Sequence, residues 1–337
     1  MTIADPQRHA LDASTAGSRR EGFPGDRRQS RKRRFAAPAV ALLLAAAPAA
    51  PAEKLPADFA AAVESFGKGD WRLCRDQFDR ARFSASRSGL SARAAYGAAV
   101  CSAYLADLDA AFSFLGFAVS RGFHDLTRLH EDPRLSSLRG DVRWVALERQ
   151  VEAADAAWRG TVNRELLAAY EAHLAAHPPG SGKLADSKLE IDDRTRFATV
   201  RKVLERGGAK LGADYFHAAS VLVHSDIAAD IERARALALK ADELDPDLIY
   251  ARRLAAYATD RALMLTQKPQ KYGTQLEWRD GRWEVYPVDP KVTDAERAEW
   301  NVPPLAETQA LAERLSTNPT PPAAPAAPQP TPPPPSR

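Results

Sequence analysis

The segment Gly69-Asp-Trp-Arg-Leu-Cys-Arg-Asp-Gln-Phe-Asp-Arg-Ala81 decides the fold class of the first half of the chain. Its glycine favours a turn, and the large and small apolar residues after it recur every three or four positions, which places them on one helical face. These residues are Trp71, Cys74, Phe78 and Ala81. Upstream, Ala60, Val63 and Phe66 also lie three residues apart. The stretch therefore predicts two helices that pack together across a turn at Gly69.

A second helical unit follows with a less regular version of the same spacing. Its residues are Leu108, Ala111, Leu115 and Ala118. A segment beginning Asp132-Pro-Arg-Leu then has the form of a closing tail. Over residues 56–150 the chain resembles tetratricopeptide-repeat proteins, whose helical hairpins stack into short arrays. The resemblance implies a helical array that contacts a protein partner.

The first 52 residues have the pattern of an export signal. Residues 1–34 carry nine basic and four acidic side chains, which is a net charge of +5. Because the whole chain has a net charge of +3, the rest of it has a net charge of −2. The basic run Arg31-Lys-Arg-Arg34 precedes an apolar run over residues 35–49, and Ala50-Pro-Ala52 matches a cleavage site. This order predicts a signal peptide cleaved after Ala52, with a periplasmic or secreted product.

A retained membrane anchor is the alternative interpretation of this segment. The uncharged run is only 18 residues long, rich in alanine, and interrupted by Pro38, Pro48 and Pro51. Such a run spans a bilayer poorly, so we expect no stable membrane insertion after cleavage. The remaining chain has no excess of basic residues to neutralise phosphates, and no nucleic-acid partner is predicted.

Changes in composition divide the chain into five predicted segments. They are a signal peptide with a long basic start (1–52), a tetratricopeptide-like helical domain (53–157), a connector helix with a Pro/Gly loop (158–189), an α-rich domain (190–317) and a Pro-rich tail (318–337). Within the α-rich domain, strand-like residues flank Asp280-Gly281 and predict a β-hairpin. The predicted fold class is mainly α, with one β-hairpin and disordered termini.

Cys74 and Cys101 are the only cysteines of the chain. In an oxidising compartment an even pair indicates one disulfide, and neighbouring helices of an array lie close enough to be bridged. Two buried free thiols are the alternative.

Asp214, His217, Val221 and His224 share one face of a predicted helix, at i, i+3, i+7 and i+10. Titratable groups on an apolar face need partners or a cavity, because their unpaired burial is costly. Either each histidine is hydrogen-bonded within the core, or one of them acts in acid–base chemistry or contacts a substrate. The two histidines lie about 10 Å apart along the helix, too far to ligate one ion together. No metal site and no cofactor are predicted.

The stretch from Asp260-Arg261 to Gln275 is unusually dense in polar residues and also contains a proline and a glycine. Arg261 lies on an inward helical stripe, either in a buried ion pair with Asp214 or Asp193 or as a clamp for an anionic substrate. The loop after it carries neutral donors and acceptors around a glycine, which suits a polar, uncharged ligand. These predicted ligand-binding residues are Arg261, Gln270, Tyr272, Gly273, Thr274 and Gln275.

Several of these motifs together carry a second resemblance. They are Asp192-Asp-Arg194, Asp214-Tyr-Phe-His-Ala-Ala219, His224, Asp260-Arg261 and Gln270-Lys-Tyr-Gly-Thr-Gln275. On these motifs, residues 190–315 resemble the uncharacterised bacterial DUF6624 family. The resemblance implies that the polar residues belong to one shared site, and it implies no activity.

Three functions follow from these features. The leading one is an exported binding or scaffold protein, whose repeat region contacts a protein partner and whose second domain holds a small polar ligand. The second is an exported enzyme, in which His224 or His217 is the base, Asp214 or Asp260 orients it, and Arg261 with Gln275 positions the substrate. The third is a purely architectural second domain that caps the repeats.

Overall fold

The computed structural model describes residues 57–85, 87–177 and 187–317. The predicted signal peptide (1–52) and Pro-rich tail (318–337) lie outside the described residues. Where the chain is described, it forms helices and one two-stranded antiparallel hairpin, so the predicted mainly α fold class is confirmed. None of the helices in these ranges is long and apolar enough to cross a membrane.

The first part of the fold is a row of antiparallel helices around one core. These helices are α1 (Ala57–Lys68), α2 (Trp71–Ser84), α3 (Ser88–Tyr104), α4 (Leu108–Ser120), α5 (Leu126–Glu131), a 3-10 helix (Pro133–Leu138) and α6 (Trp144–Arg159). The spacing predicted for α2 and α4 matches the burial, because Cys74, Phe78 and Ala81 of α2 and Ala111, Leu115 and Ala118 of α4 are buried. The face predicted for α1 is wrong at Ala60 and Val63, which are exposed; α1 buries Ala62, Ser65 and Phe66 instead. Asp70 caps α2 by accepting the Leu73 N–H.

A disulfide joins Cys74 of α2 to Cys101 of α3, with an S–S distance of 2.02 Å and a Cα–Cα distance of 6.3 Å. Both residues are buried in the same core cluster as Phe78, Leu115 and Trp144. The cross-link therefore fastens the first helical hairpin to the helix that begins the second.

The second part of the fold has its own core. Its helices are α7 (Arg164–Ala176), α8 (Ser187–Glu205), α9 (Gly212–Leu222), α10 (Ala228–Leu244), α11 (Tyr250–Leu265), α12 (Asp294–Glu299) and α13 (Leu305–Thr317). Leu166 and Tyr170 of α7 are buried with Val221 and Leu254 of the later helices. This core thus begins at α7, whereas the sequence prediction assigned that helix to a connector and began the domain at residue 190. An amphipathic helix packs where its apolar face meets another apolar surface, and for α7 that surface is the core formed by the later helices.

The hairpin consists of β1 (Leu276–Arg279) and β2 (Arg282–Val285) and lies where the sequence predicts it. Both turn residues, Asp280 and Gly281, have positive φ, as a two-residue hairpin turn requires. Trp278 and Trp283 face each other across the strands, 5.4 Å apart between ring centroids. Helix α13 packs against β2, and Ser316 Oγ accepts the Trp283 N–H.

One carboxylate connects the two cores. Asp247, between α10 and α11, accepts the Gly89 N–H near the start of α3 at 2.9 Å, and its other oxygen lies 3.5 Å from Arg87 Nε. The first turn of a helix carries N–H groups without intrahelical partners, so an acidic side chain placed there is stabilising. Asp247 thus supplies, from the second domain, an acceptor for a helix of the first.

Replacing Asp247 with alanine is expected to lower the free energy of unfolding by about 1–3 kcal/mol, because a partly buried amide and a guanidinium lose their acceptor. Asp247→Asn keeps an acceptor for the Gly89 N–H and should cost less. Urea denaturation of the full chain measures both variants. An equal decrease in the free energy of unfolding for the two variants, or no decrease for Asp247→Ala, would contradict the proposed linkage between the domains.

Candidate functional site

Asp260 lies near the end of α11 and is fully buried. Its Oδ1 accepts the N–H groups of Lys271 at 2.7 Å and Tyr272 at 2.9 Å. Its Oδ2 accepts the N–H of Thr274 at 3.0 Å and the hydroxyl of the same residue at 2.8 Å. Burial raises the pKa of Asp260, and these donors oppose that shift by favouring the carboxylate. Because both oxygens bind the following loop, Asp260 fixes the conformation of that loop.

The amide side chains of the same loop bind one another and the neighbouring backbone. Gln270 Nε2 donates to the carbonyls of Gln275 and Tyr286, and Gln270 Oε1 accepts the Gln275 N–H at 2.8 Å. Gln275 Nε2 donates to the Tyr257 carbonyl at 3.3 Å and to Thr274 Oγ1 at 3.2 Å. The structure thus brings Gln270, Thr274 and Gln275 together and bonds most of their polar atoms to one another and to the adjacent backbone, while Gln275 Oε1 is buried without a partner among the described residues.

Gly273 and Tyr272 complete this loop. Gly273 has a φ of +76°, and a Cβ at this position would lie 2.7 Å from Leu305 Cδ1, so any other residue would be strained and would require Leu305 to move. The Tyr272 ring is buried 5.2 Å from the Trp300 ring, and its carbonyl accepts Arg297 Nε at 3.0 Å. Burial raises the pKa of Tyr272 to about 12. These contacts stabilise the loop against α12 and α13.

Arg261 points away from this loop, towards the turn between α9 and α10. Its Nη2 lies 3.5 Å from the His224 carbonyl oxygen and 3.7 Å from Asp226 Oδ1. The two acids proposed from the sequence as its partners lie elsewhere: Asp193 pairs with Arg196, and Asp214 binds backbone amides. Arg261 therefore joins α11 to the residues that follow α9.

Asp214 caps the start of α9. Its oxygens accept the N–H groups of Asn163 at 2.6 Å, Lys210 at 2.9 Å and Leu211 at 3.0 Å. These bonds fasten the start of α7 to the loop before α9. The hydrogen bonds described for Asp214 all come from the backbone, so the structure gives it a capping role rather than that of orienting a histidine.

His217 is buried on α9 against α7. Its ring stacks on Tyr170 with 4.7 Å between centroids and meets Trp158 edge-on at 6.0 Å. Burial lowers the pKa of His217 to about 4, although the charge of Asp214 opposes the shift. His217 is thus a neutral ring within an aromatic group at neutral pH.

His224 does not continue the helical face predicted from the sequence, because α9 ends at Leu222. Its ring lies 4.7 Å from the ring of His173, 6.3 Å from that of His177 and 5.9 Å from that of Tyr257. His217 and His224 therefore contact different parts of α7. The structure brings His224 to two histidines that the sequence analysis did not select.

These two histidines and Asp193 form the densest group of potential ligand atoms in the described chain. His177 Nε2 lies 3.0 Å from both oxygens of Asp193, and His173 Nδ1 lies 3.7 Å from Asp193 Oδ1. One nitrogen of each ring and one carboxylate oxygen lie within 4.8 Å of one another. We call His173, His177, His224 and Asp193 the histidine cluster.

Arg196 supports Asp193 from the next turn of α8, with Nη2 at 2.6 Å and Nε at 3.2 Å from Oδ1. Burial acts to raise the pKa of Asp193, but the adjacent imidazoles and guanidinium overcome it and hold that pKa well below its usual range. Asp193 is therefore a carboxylate at neutral pH.

His173 is the member of the histidine cluster with the least satisfied side chain. It is only 1% exposed, and neither ring nitrogen has a hydrogen-bond partner among the described residues. Burial lowers the pKa of His173, so its ring is neutral. A buried imidazole whose two nitrogens are both unbonded is costly, and native structures normally supply such a group with a partner.

Sequence reasoning missed this cluster although one signal was present. His173 and His177 are four residues apart, a spacing that predicts one face of a helix, although in the structure α7 ends at Ala176 and His177 follows it directly. Both residues fell in the predicted connector, and only His217 and His224 were weighed as ligands of a metal ion.

No protein-family model, curated protein or solved structure shows a significant match to this chain. The resemblances to tetratricopeptide repeats and to the DUF6624 family therefore stay predictions.

Proposed function

We propose that this chain is an exported binding protein whose second domain takes a small ligand at the histidine cluster. The observation that carries the proposal is the buried ring of His173, which faces Asp193 and two further histidines and has no hydrogen bond at either nitrogen within the part of the chain that the structure describes. A ligand that bonds to one of these nitrogens would remove the cost of burying them.

This proposal changes the predicted site residues and keeps the predicted class of function. The residues first chosen for ligand binding, from Gln270 to Gln275, hydrogen-bond one another and the carboxylate of Asp260. Gln275 Oε1 is buried there without a hydrogen-bond partner among the described residues, but its amide nitrogen is bonded, whereas in the histidine cluster both ring nitrogens of the buried His173 lack such a partner. The histidine cluster is therefore the better candidate for contact with a ligand, while the repeat region as a surface for a protein partner stays a prediction.

The enzyme alternative is less well supported by the same geometry. Its base was to be oriented by Asp214 or Asp260, and the oxygens of both accept N–H groups from neighbouring loops. A general base needs its orienting acid within hydrogen-bond reach of its ring. Binding needs only that unsatisfied groups converge, which is why we favour it.

A thermal-shift screen of the full chain tests this function. The probes are zinc chloride, inorganic phosphate and citrate, which represent cations, small anions and polycarboxylates. We expect one of them to raise the melting temperature of the wild type and to lose that effect in His177→Asn.

The matched control is His130→Asn. His130 is an exposed histidine of the first domain whose Nε2 lies 2.9 Å from Glu148, much as His177 lies beside Asp193. The rise in melting temperature on adding the probe should persist in this variant. If no probe stabilises the wild type, or if His177→Asn responds as strongly as His130→Asn, the proposed function is wrong.

A further inference from the structure

We infer that the ligand of the histidine cluster is a divalent transition-metal ion of the zinc type, bound by His173, His177 and Asp193. This inference rests on the proposed function, because it names the ligand of the same site. It also reverses the sequence prediction that the chain has no metal site.

The chemistry of the donor atoms selects this class of ion. Two imidazole nitrogens and one carboxylate oxygen are ligands that zinc and its neighbours in the first transition row prefer, whereas calcium and magnesium prefer oxygen alone. Sets of three such protein ligands leave a coordination position for water or another small molecule. The histidine cluster therefore has the composition of an open metal site.

The distances fit one ion with small side-chain movements. In a tetrahedral zinc site with bonds of about 2.0–2.1 Å, neighbouring ligand atoms lie about 3.3 Å apart. His177 Nε2 is 3.0 Å from either oxygen of Asp193, and His173 Nδ1 is 3.7 Å from Oδ1. All three ligand atoms fall within 4.8 Å of one another, so rotations that move them by about an ångström bring them to one centre.

The positions of these residues in the fold hold the ligand atoms together. His173 lies in the last turn of α7, His177 is the residue directly after this helix, and Asp193 comes from α8, which packs against α7. Arg196 donates to Oδ1 of Asp193 and leaves Oδ2 directed at His177. A carboxylate that gives one oxygen to an arginine and the other to a metal is a common supporting arrangement in metal sites.

A purely structural ion network explains only part of this geometry. The pairing of His177, Asp193 and Arg196 would satisfy those three groups without any ion. It leaves His173, which is 1% exposed, without a hydrogen bond to either ring nitrogen among the described residues, with Nδ1 3.7 Å from Asp193 Oδ1. Coordination of an ion by one of these nitrogens accounts for His173 as well, and this is the observation that favours the metal.

Isothermal titration of the untagged, chelator-treated full chain with zinc chloride tests the inference. We expect one zinc ion per chain in the wild type and in His130→Asn. Affinity should fall at least about 100-fold in His177→Asn and in His173→Gln, since loss of a direct ligand should exceed the effect of losing an outer contact. Circular dichroism of each variant verifies that it is folded. Cobalt(II) added to the wild type should give the visible absorption of a four-coordinate ion, a readout that needs no variant.

The outcomes separate this inference from the proposed function. If phosphate or citrate stabilises the wild type through His177 while zinc does not bind, the chain binds a ligand at the cluster and the metal inference is overturned. If zinc binds equally well to His177→Asn, it binds elsewhere and the inference is also overturned. If no probe binds, both proposals fail.

Discussion

Replacing Asp260 with alanine is expected to lower the free energy of unfolding by at least about 4 kcal/mol. The carboxylate is fully buried and accepts three backbone N–H groups and one hydroxyl, from Lys271, Tyr272 and Thr274. Each donor left without an acceptor in a buried position costs about 1–3 kcal/mol, and the loop can recover part of this by admitting water. Urea denaturation of the full chain measures the loss, and hydrogen exchange at the amides of Lys271, Tyr272 and Thr274 locates it.

Two further variants make this prediction specific. Asp260→Asn conserves shape and keeps one acceptor, but its NH2 group faces donors on one side, so an intermediate loss is expected. Asp226→Ala removes a fully exposed acid that lies 3.7 Å from Arg261, and a surface pair of this kind contributes little to stability. Similar losses for Asp260→Ala and Asp226→Ala would show that Asp260 does not organise the loop.

The parts of the fold that local chemistry determines were predictable from the sequence. Asp280 and Gly281 tolerate the positive φ of a tight turn, and the hairpin forms there. Thr293 and Glu296 form a capping box at the start of α12, as their three-residue spacing indicates. In each case the residues that interact are close in the chain, so their spacing contains the information.

The histidine cluster depends instead on which helices meet. His217 and His224 share a face only if α9 continues, and the helix ends at Leu222, before His224. His224 then contacts His173 and His177 of a helix about fifty residues earlier in the chain. Spacing along one helix carries no information about such a contact, because it arises from the packing of α9 against α7.

The loop after α11 illustrates a different limit of sequence patterns. A high density of side-chain amides, together with a proline and a glycine, correctly marked a place where many polar groups converge. The same residue types suit a ligand site and a self-bonded loop equally well. The difference lies in whether each donor finds its acceptor inside the chain, as Gln270 does with Gln275 and Tyr286. That question is decided only by the folded geometry.

Reduction of the disulfide between Cys74 and Cys101 is expected to lower the free energy of unfolding of the first domain by about 3–4 kcal/mol. The bond spans 27 residues, and opening a loop of that length restores conformational freedom mainly to the unfolded chain. Reduction retains both sulfur atoms in the core as thiols, whereas the Cys74→Ala/Cys101→Ala variant also removes them. Comparing urea denaturation of the reduced wild type with that of the variant therefore separates the cross-link from the packing. Protection of the backbone amides against hydrogen exchange should weaken around Tyr96 in the first core. It should stay unchanged around Val221, because that residue belongs to the second core. An unaltered denaturation midpoint after complete reduction, verified by thiol titration, would mean that the helices hold this arrangement without the cross-link.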